Sequence, residues 1–550
     1  MFLFFLHSYH ISVKLAMENG LGRIHSLSWP MYPGTNGLIS TPCNSLTFHS
    51  IADRDDKKKT RKLRVCTPSL LERSPAGETM IDLMVIVGYG SLMLFLGWRA
   101  RGQPAESFWI AERGCLAGPV TMSLVATIFG ASSTMGIIGL GYSRGLTGAW
   151  WSLIGGIALI PFAFLLAGRV RSLNVYTLPD LLKKAYGERV AVPAGVMIAL
   201  AWCGVIAAQL IAGGRLLSSV FSSDFQWALA MVAFVFILYT FLGGQLTVIK
   251  TDSWQFLLFL GGLLLSLVFL FLSQGMETSL WQNIPEGHWR FPVSRAFGWY
   301  DLLVFYPLIV GLPYLVGPDI YSRVLCAKDD RVARRSALLA AGLAVPLAFV
   351  LAFFGLLASA RFPGITPEAA LPKTLSEVIP VGLRGLIVAG FLGAIMSSAD
   401  TCLLSAATIF ALNVIGPFFR LSQGDQLKLT KAAVVTIGIA AWLIASRQQG
   451  IISSLLLGYT VFVGGVVPPT LATFYKRRMK TTSSGALWAI LVGGGTAILG
   501  KIHGGVPMKA ILTTNGAALL HLLMGPQYLS ILPIILSLVV MIGVSRMTRS

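Results

Sequence analysis

Two short clusters of hydroxyl-bearing and small residues, each inside a long apolar run, carry most of the chemistry this sequence offers. In Ala394-Ile395-Met396-Ser397-Ser398-Ala399-Asp400-Thr401, positions 394, 397 and 398 stand at i, i+3 and i+4 of a helix. One backbone carbonyl and two hydroxyls therefore fall on a single face. In Phe129-Gly130-Ala131-Ser132-Ser133-Thr134-Met135-Gly136, a small, hydroxylated stretch bracketed by glycines interrupts another apolar run. A helix broken there releases carbonyls from i to i−4 bonding, and free oxygens are what a hard cation such as sodium requires. Two carbonyls from the break and three oxygens from the other cluster would surround one ion. The competing reading is an unbroken helix packed through its small residues, with serines that hydrogen-bond backbone or neighbouring helices.

Two carboxylates stand near these clusters. Asp400 lies deep inside an apolar run, and Asp252 opens another in Thr251-Asp252-Ser253-Trp254-Gln255. Burying a carboxylate in a membrane costs several kcal/mol unless it is partnered, neutralised or wet, so both are candidates for function. Helix N-capping is the alternative for Asp252. A further run holds Tyr306-Pro307, Gly311, Pro313-Tyr314 and Gly317-Pro318-Asp319. Three prolines predict that it is broken as well.

The elements that must position these groups are membrane helices. The 550 residues are 55% hydrophobic and 12% charged, against about 25% charged in soluble domains. Apolar runs recur from Ile81 onward, about thirteen in all, each able to cross a bilayer as a helix. They lie near 81–98, 118–140, 147–168, 190–212, 226–243, 253–273, 298–317, 337–359, 384–414, 430–446, 450–474, 485–500 and 528–545. The predicted fold is an all-α polytopic membrane protein. The 58 glycines suit close helix packing, and no ten-residue alternation of a barrel is present. The net charge of +20 is concentrated in alternate loops. That asymmetry predicts an amino terminus outside and a carboxyl terminus, with Arg546 and Arg549, in the cytoplasm, and it makes nucleic acid an unneeded partner. The six cysteines show no paired spacing, which predicts neither a disulfide nor a metal framework.

Residues 1–79 differ from the rest, with His7, His10, His25, His49 and the run Lys57-Lys58-Lys59-Thr60-Arg61-Lys62. Outside, this charge would oppose the predicted orientation, so Met80 is the expected start. The apolar Phe2 to Leu6 is too short for a signal-peptide core. The expected organisation beyond it is a first helix and loop at 80–117, five-helix repeats at 118–273 and 298–474, and two further helices at 475–550. The segment from Val506 to Leu523 reads either as a loop or as a partial re-entry.

Taken in order, several motifs resemble the sodium:solute symporter family. Gly243-Gly244-Gln245-Leu246-Thr247-Val248-Ile249-Lys250-Thr251-Asp252-Ser253-Trp254-Gln255 is similar to its signature between the fifth and sixth helices, and Met396-Ser397-Ser398-Ala399-Asp400-Thr401 to that of its ninth. Tyr176-Thr177-Leu178-Pro179-Asp180-Leu181 resembles the segment after the third. Arg323-Val324-Leu325-Cys326-Ala327-Lys328, followed by Ala333-Arg334-Arg335, looks like the cytoplasmic connection after the seventh. The resemblance covers residues 80–475 and implies a 5+5 inverted-repeat core of the leucine-transporter kind, working by alternating access. It implies a sodium site made by the carbonyls of Ala131, Thr134 and Ala394 and the hydroxyls of Ser397 and Ser398. It also implies a second cation or proton site near Asp252 and Asp400. The function so implied is sodium-coupled symport of a small organic solute, an amino acid, carboxylate or similar, across the inner membrane, with sodium as coupling ion and no other cofactor. Ser133 stands where proline transporters carry Asp, and the polar set of sugar-carrying members is not recognisable. Candidate solute contacts are Ser133, Gln209, Tyr306 and Tyr314, with Trp150 and Trp151 as lids or, alternatively, interfacial anchors.

Other functions remain in view. Proton coupling through Asp400 is the nearest, although the seven histidines fall outside the ten core spans. A transporter-like sensor would need an output domain, and no such stretch follows the last helix. A channel filter and an enzyme's converging nucleophile and base are not apparent.

Overall fold

The computed structural model describes residues 75–221, 223–273, 282–448, 450–502 and 528–549, together with 14–16 and 64–66. Met1–Glu78 and Thr79–Ser550 are separate compact units. In the first, Lys14–Ala16 pairs antiparallel with Arg64–Cys66. The histidines and lysine run of the first 79 residues, and the segment from Val506 to Leu523, lie outside the described residues.

The second unit is helical, as its apolar runs dictate. Among the described residues ten helical runs are long and apolar enough to cross a membrane, or eleven with the pair Ile451–Gly465 and Val467–Phe474, which meet at a 47° bend. The thirteen expected spans do not all stand as separate helices. Phe225–Leu272 takes in the fifth and sixth, turning at Gly244, whose φ of +64° only glycine adopts freely and where a Cβ would strike the Phe108 ring. Ser132–Ser172 joins the end of the second to the third.

The second span breaks where its glycine and hydroxyl residues predict. Ala117–Ile128 stops at Phe129, which turns to ψ 47°, and the chain resumes through a wide π turn, Ser132–Gly136, into Ile137–Arg144. The seventh breaks at Gly317, with ψ of 135°, between Leu312–Val316 and Pro318–Leu325. Pro318 in the first turn of the second half leaves no intrahelical donor missing, whereas Pro307 and Pro313 lie inside the first half, which is helical from Asp301 on.

These two broken spans lie side by side in opposite directions. Thr127 accepts from Arg323 Nε at 3.4 Å. Ser133 hydrogen-bonds Tyr314, and Arg144 donates to the Tyr306 hydroxyl at 2.7 Å. Numbers rise along one helix as their partners fall along the other, the antiparallel relation that two inverted repeats require of their leading helices. Behind them runs Leu383–Ile409, buried at every residue from Ile387 to Ile409 and therefore the central post of the bundle. Asp82 of the first span fastens its start, accepting from Gly382 N at 2.8 Å, Gly385 N at 2.7 Å and Arg384 Nε at 2.6 Å.

Candidate ion and solute site

The break in the second span faces the Ser397 helix. A Cβ placed on Gly130 would collide with Ser398 Oγ and lie 2.7 Å from Gln209 Oε1, so glycine is what lets the Ser398 and Gln209 side chains close on the break. Gln209, on Glu188–Phe221, accepts from Ala131 N at 2.7 Å and so satisfies the first donor of the resumed helix. The Ala131 carbonyl accepts from Gly136 N at 3.0 Å and that of Thr134 from Ile137 N. Ala394 sits inside an unbroken helix, where its carbonyl meets the backbone N–H four residues on. The Ala131 carbonyl also lies 3.4 Å from the Thr134 hydroxyl, a long contact that a cation would have to displace, whereas a carbonyl with a single backbone partner keeps a second lone pair. The Thr134 hydroxyl is turned back on Gly130 O at 2.7 Å.

Ser397 and Ser398 point to different neighbours. Ser398 lines a narrow cavity with Thr127, Gly130, Gln209, Tyr314 and Tyr459. Ser397 donates to Asp252 Oδ1 at 2.5 Å. Asp252 also accepts from Ser123 and forms an ion pair with Arg323, NH2 to Oδ2 3.2 Å, in which neither side chain is exposed. The N-capping alternative for Asp252 does not hold, since it stands well inside Phe225–Leu272 and its oxygens are taken by three side chains. Arg323 is likewise no part of a loop. It belongs to Pro318–Leu325, and its counter-charge is what allows both ions to leave water. Its remaining contacts are the Thr401 and Thr127 hydroxyls.

Asp400 is fully buried, accepts from Thr240 Oγ1 at 2.7 Å through Oδ1, and has no partner for Oδ2 among the described residues. It shares no hydrogen-bond partner with Asp252. Of the solute candidates, Gln209 and Tyr314 line the cavity, with Ser133 bonded to Tyr314. Tyr306 does not. It is held by Arg144 and packs edge-on to Trp151 at 5.7 Å and to Phe297 at 4.9 Å. Trp151 is 2% exposed, inside the bundle rather than at an interface. Trp150 donates to Pro292 O at 2.9 Å and stacks on Phe291.

Sequence reasoning missed Ser123, Thr240, Arg144 and the inward face of Arg323. Their signal was a lone polar residue within an apolar helix, too common to single out without knowing what faces it.

Two broken helices running antiparallel against an unbroken post, with polar groups gathered at the breaks, define a multi-pass membrane transporter. A family model for the sodium:solute symporter family matches residues 108–493, and the chain belongs to that family. Sodium/glucose cotransporter 4 of Homo sapiens is 26% identical over 496 residues, covering 79% of this chain and 71% of that protein. A sodium/glucose cotransporter of Vibrio parahaemolyticus is 25% identical, with 76% and 84% covered. Sodium/myo-inositol cotransporter 2 of Oryctolagus cuniculus is 25% identical, with 75% and 68% covered. In fold, the chain matches the substrate-bound, outward-open state of a Na+-coupled sialic acid symporter. The TM-score is 0.69 at 18% identity, over 85% of this chain and 98% of that one. A nucleobase-cation-symport-1 family transporter with bromovinylhydantoin bound matches at TM-score 0.55 and 12% identity, over 80% and 94%. These relatives are transporters, and so the chain is no enzyme.

Proposed function

We propose that this protein couples sodium entry to the import of a small polar organic solute by alternating access. Sodium is held by the carbonyls of Ala131, Thr134 and Ala394 and the hydroxyls of Ser397 and Ser398. The observation that supports the reading is the break at Phe129–Ala131 packed against Ser398, where an interrupted helix and an unbroken one meet. Membrane potential supplies roughly 2.3 kcal/mol per charge per 100 mV, sufficient with a sodium gradient to concentrate a solute. The charge asymmetry of the loops supports a cytoplasmic carboxyl terminus, and the two broken leading spans support five-helix repeats at 118–273 and 298–474.

For the solute, the relatives named above are cotransporters of glucose and myo-inositol. The cavity lining has hydroxyls, an amide and the Asp319 carboxylate but no Lys, Arg or His. An amino acid or carboxylate would find no cationic partner there, which places a neutral or cationic solute ahead of it.

Saturable binding of radioactive sodium to purified protein, lost in Ser397→Ala/Ser398→Ala, is the expected result; absence of binding by folded wild type would defeat sodium coupling. A second reading, proton coupling through Asp400, is favoured by its partnerless buried oxygen, since a proton would satisfy it. Uptake driven by a pH gradient without sodium, and lost in Asp400→Asn, would establish it.

A further inference from the structure

The central cavity draws its walls from five spans, and of its fourteen lining residues only Asp319 carries a formal charge. Asp319 is partly exposed into it and belongs to no ion pair among the described residues. Its carboxylate lies beside the backbone N–H groups at the start of Pro318–Leu325, and a Cβ on Gly317 would approach Oδ1 to 2.7 Å. A helix start offers the equivalent of roughly half a positive charge, so a full carboxylate there is stabilised but not neutralised. Arg323, one turn on, acts on Asp319 through space but makes its ion pair with Asp252, so one cation serves two carboxylates.

A net negative charge therefore remains in a space walled by protein and screened little by water. Tyr314 and Tyr459 line the same space, and aromatic faces attract ammonium groups. The guanidinium groups of Arg144, Arg290 and Arg295 gather at a different pocket, with Glu286 and His288. There Arg144 is held by Tyr306 and Phe297, and Arg290 and Arg295 are exposed and screened.

We propose that Asp319 makes the central cavity a receptor for a cationic group, carried by the solute as a protonated amine. This rests on the reading of the cavity as the solute site. The same chemistry could be met by an additional inorganic cation, and the test separates the two sources.

Full-length protein in detergent with sodium chloride would be titrated calorimetrically with charge-matched sets: glucosamine, glucose and glucuronate, and ethanolamine against ethylene glycol. The amine should bind about tenfold or more tighter than its neutral counterpart, as gain of one partly desolvated ion pair implies. Asp319→Asn, which keeps the size and one side-chain oxygen, should erase that preference, and Asp319→Glu should restore part of it. In a second arm, radioactive sodium would be counted per protein without organic solute. One sodium fewer in Asp319→Asn, regained in Asp319→Glu, supports the proposal with an inorganic ion as the source. If the sodium count is unchanged, the proposal is overturned by any of three results: the neutral or anionic member binds best, the amine preference survives in Asp319→Asn, or no probe binds. Wild-type sodium binding in the same preparation keeps the conclusions apart. Its absence defeats the sodium reading, whereas an Asp319-dependent amine preference stands without it.

Discussion

Ser397 donates its hydroxyl proton to Asp252, 2.5 Å away, and thereby turns its lone pairs outward from the acid. A hydroxyl so oriented is a better cation ligand than a freely rotating one, and it ties the proposed sodium site to the Asp252–Arg323 pair behind it. Asp252→Asn should weaken sodium binding several-fold without touching a sodium ligand. Ser397→Ala should lose it more completely, and sodium titrations of the two variants compare them.

The buried pair itself is expected to behave asymmetrically. Arg323→Met leaves a carboxylate without its counter-charge and should cost about 3–5 kcal/mol, whereas Asp252→Asn/Arg323→Met removes both charges and should recover most of that loss. Thermal unfolding in detergent of the three variants closes the cycle, and additive losses would argue against a direct pair.

Gly130→Ala tests the close approach at the break. Its new methyl must displace Ser398 and Gln209, at a cost of about 1–3 kcal/mol from overpacking. Sodium binding should fall by more than that destabilisation explains, because the methyl pushes a ligand-bearing helix away. Retained binding in a folded Gly130→Ala protein would place the ion elsewhere.

Gln209→Leu should leave the Ala131 N–H buried without an acceptor, a penalty of about 1–3 kcal/mol. Gln209→Glu keeps the acceptor and should be the milder change. Hydrogen exchange at Ala131 reads the loss directly.

At the other end of the broken pair, Tyr306→Phe deletes the acceptor of Arg144 while keeping the ring against Trp151. If that contact closes the pathway, a cysteine introduced by Ser133→Cys should react faster with a membrane-impermeant thiol reagent in Tyr306→Phe than in its Tyr306 parent. An unchanged labelling rate would remove Arg144–Tyr306 from the closing mechanism.

Much of this protein was legible from residue order. Long apolar runs admit one solution in a bilayer, helices, because each backbone group must be bonded within its own segment. Gly, Pro and hydroxyl clusters locate the breaks in the second and seventh spans because those residues weaken the same bonding. The i, i+3, i+4 spacing at 394, 397 and 398 fixes a common face on any helix. What the sequence could not settle was which polar residues meet across the bundle. Arg323 reads as part of a basic loop until Asp252, 71 positions earlier, is found opposite it. Tyr306 and Tyr314 read as one aromatic group, yet one is latched to Arg144 and the other lines the cavity. Asp319 reads as one acid at the end of a proline-rich run, and only the walls around it reveal that, among the described residues, no ion pair answers it. Helix formation is local and follows from composition and spacing; pairing between helices depends on tertiary packing, which brings together residues that no sequence interval relates.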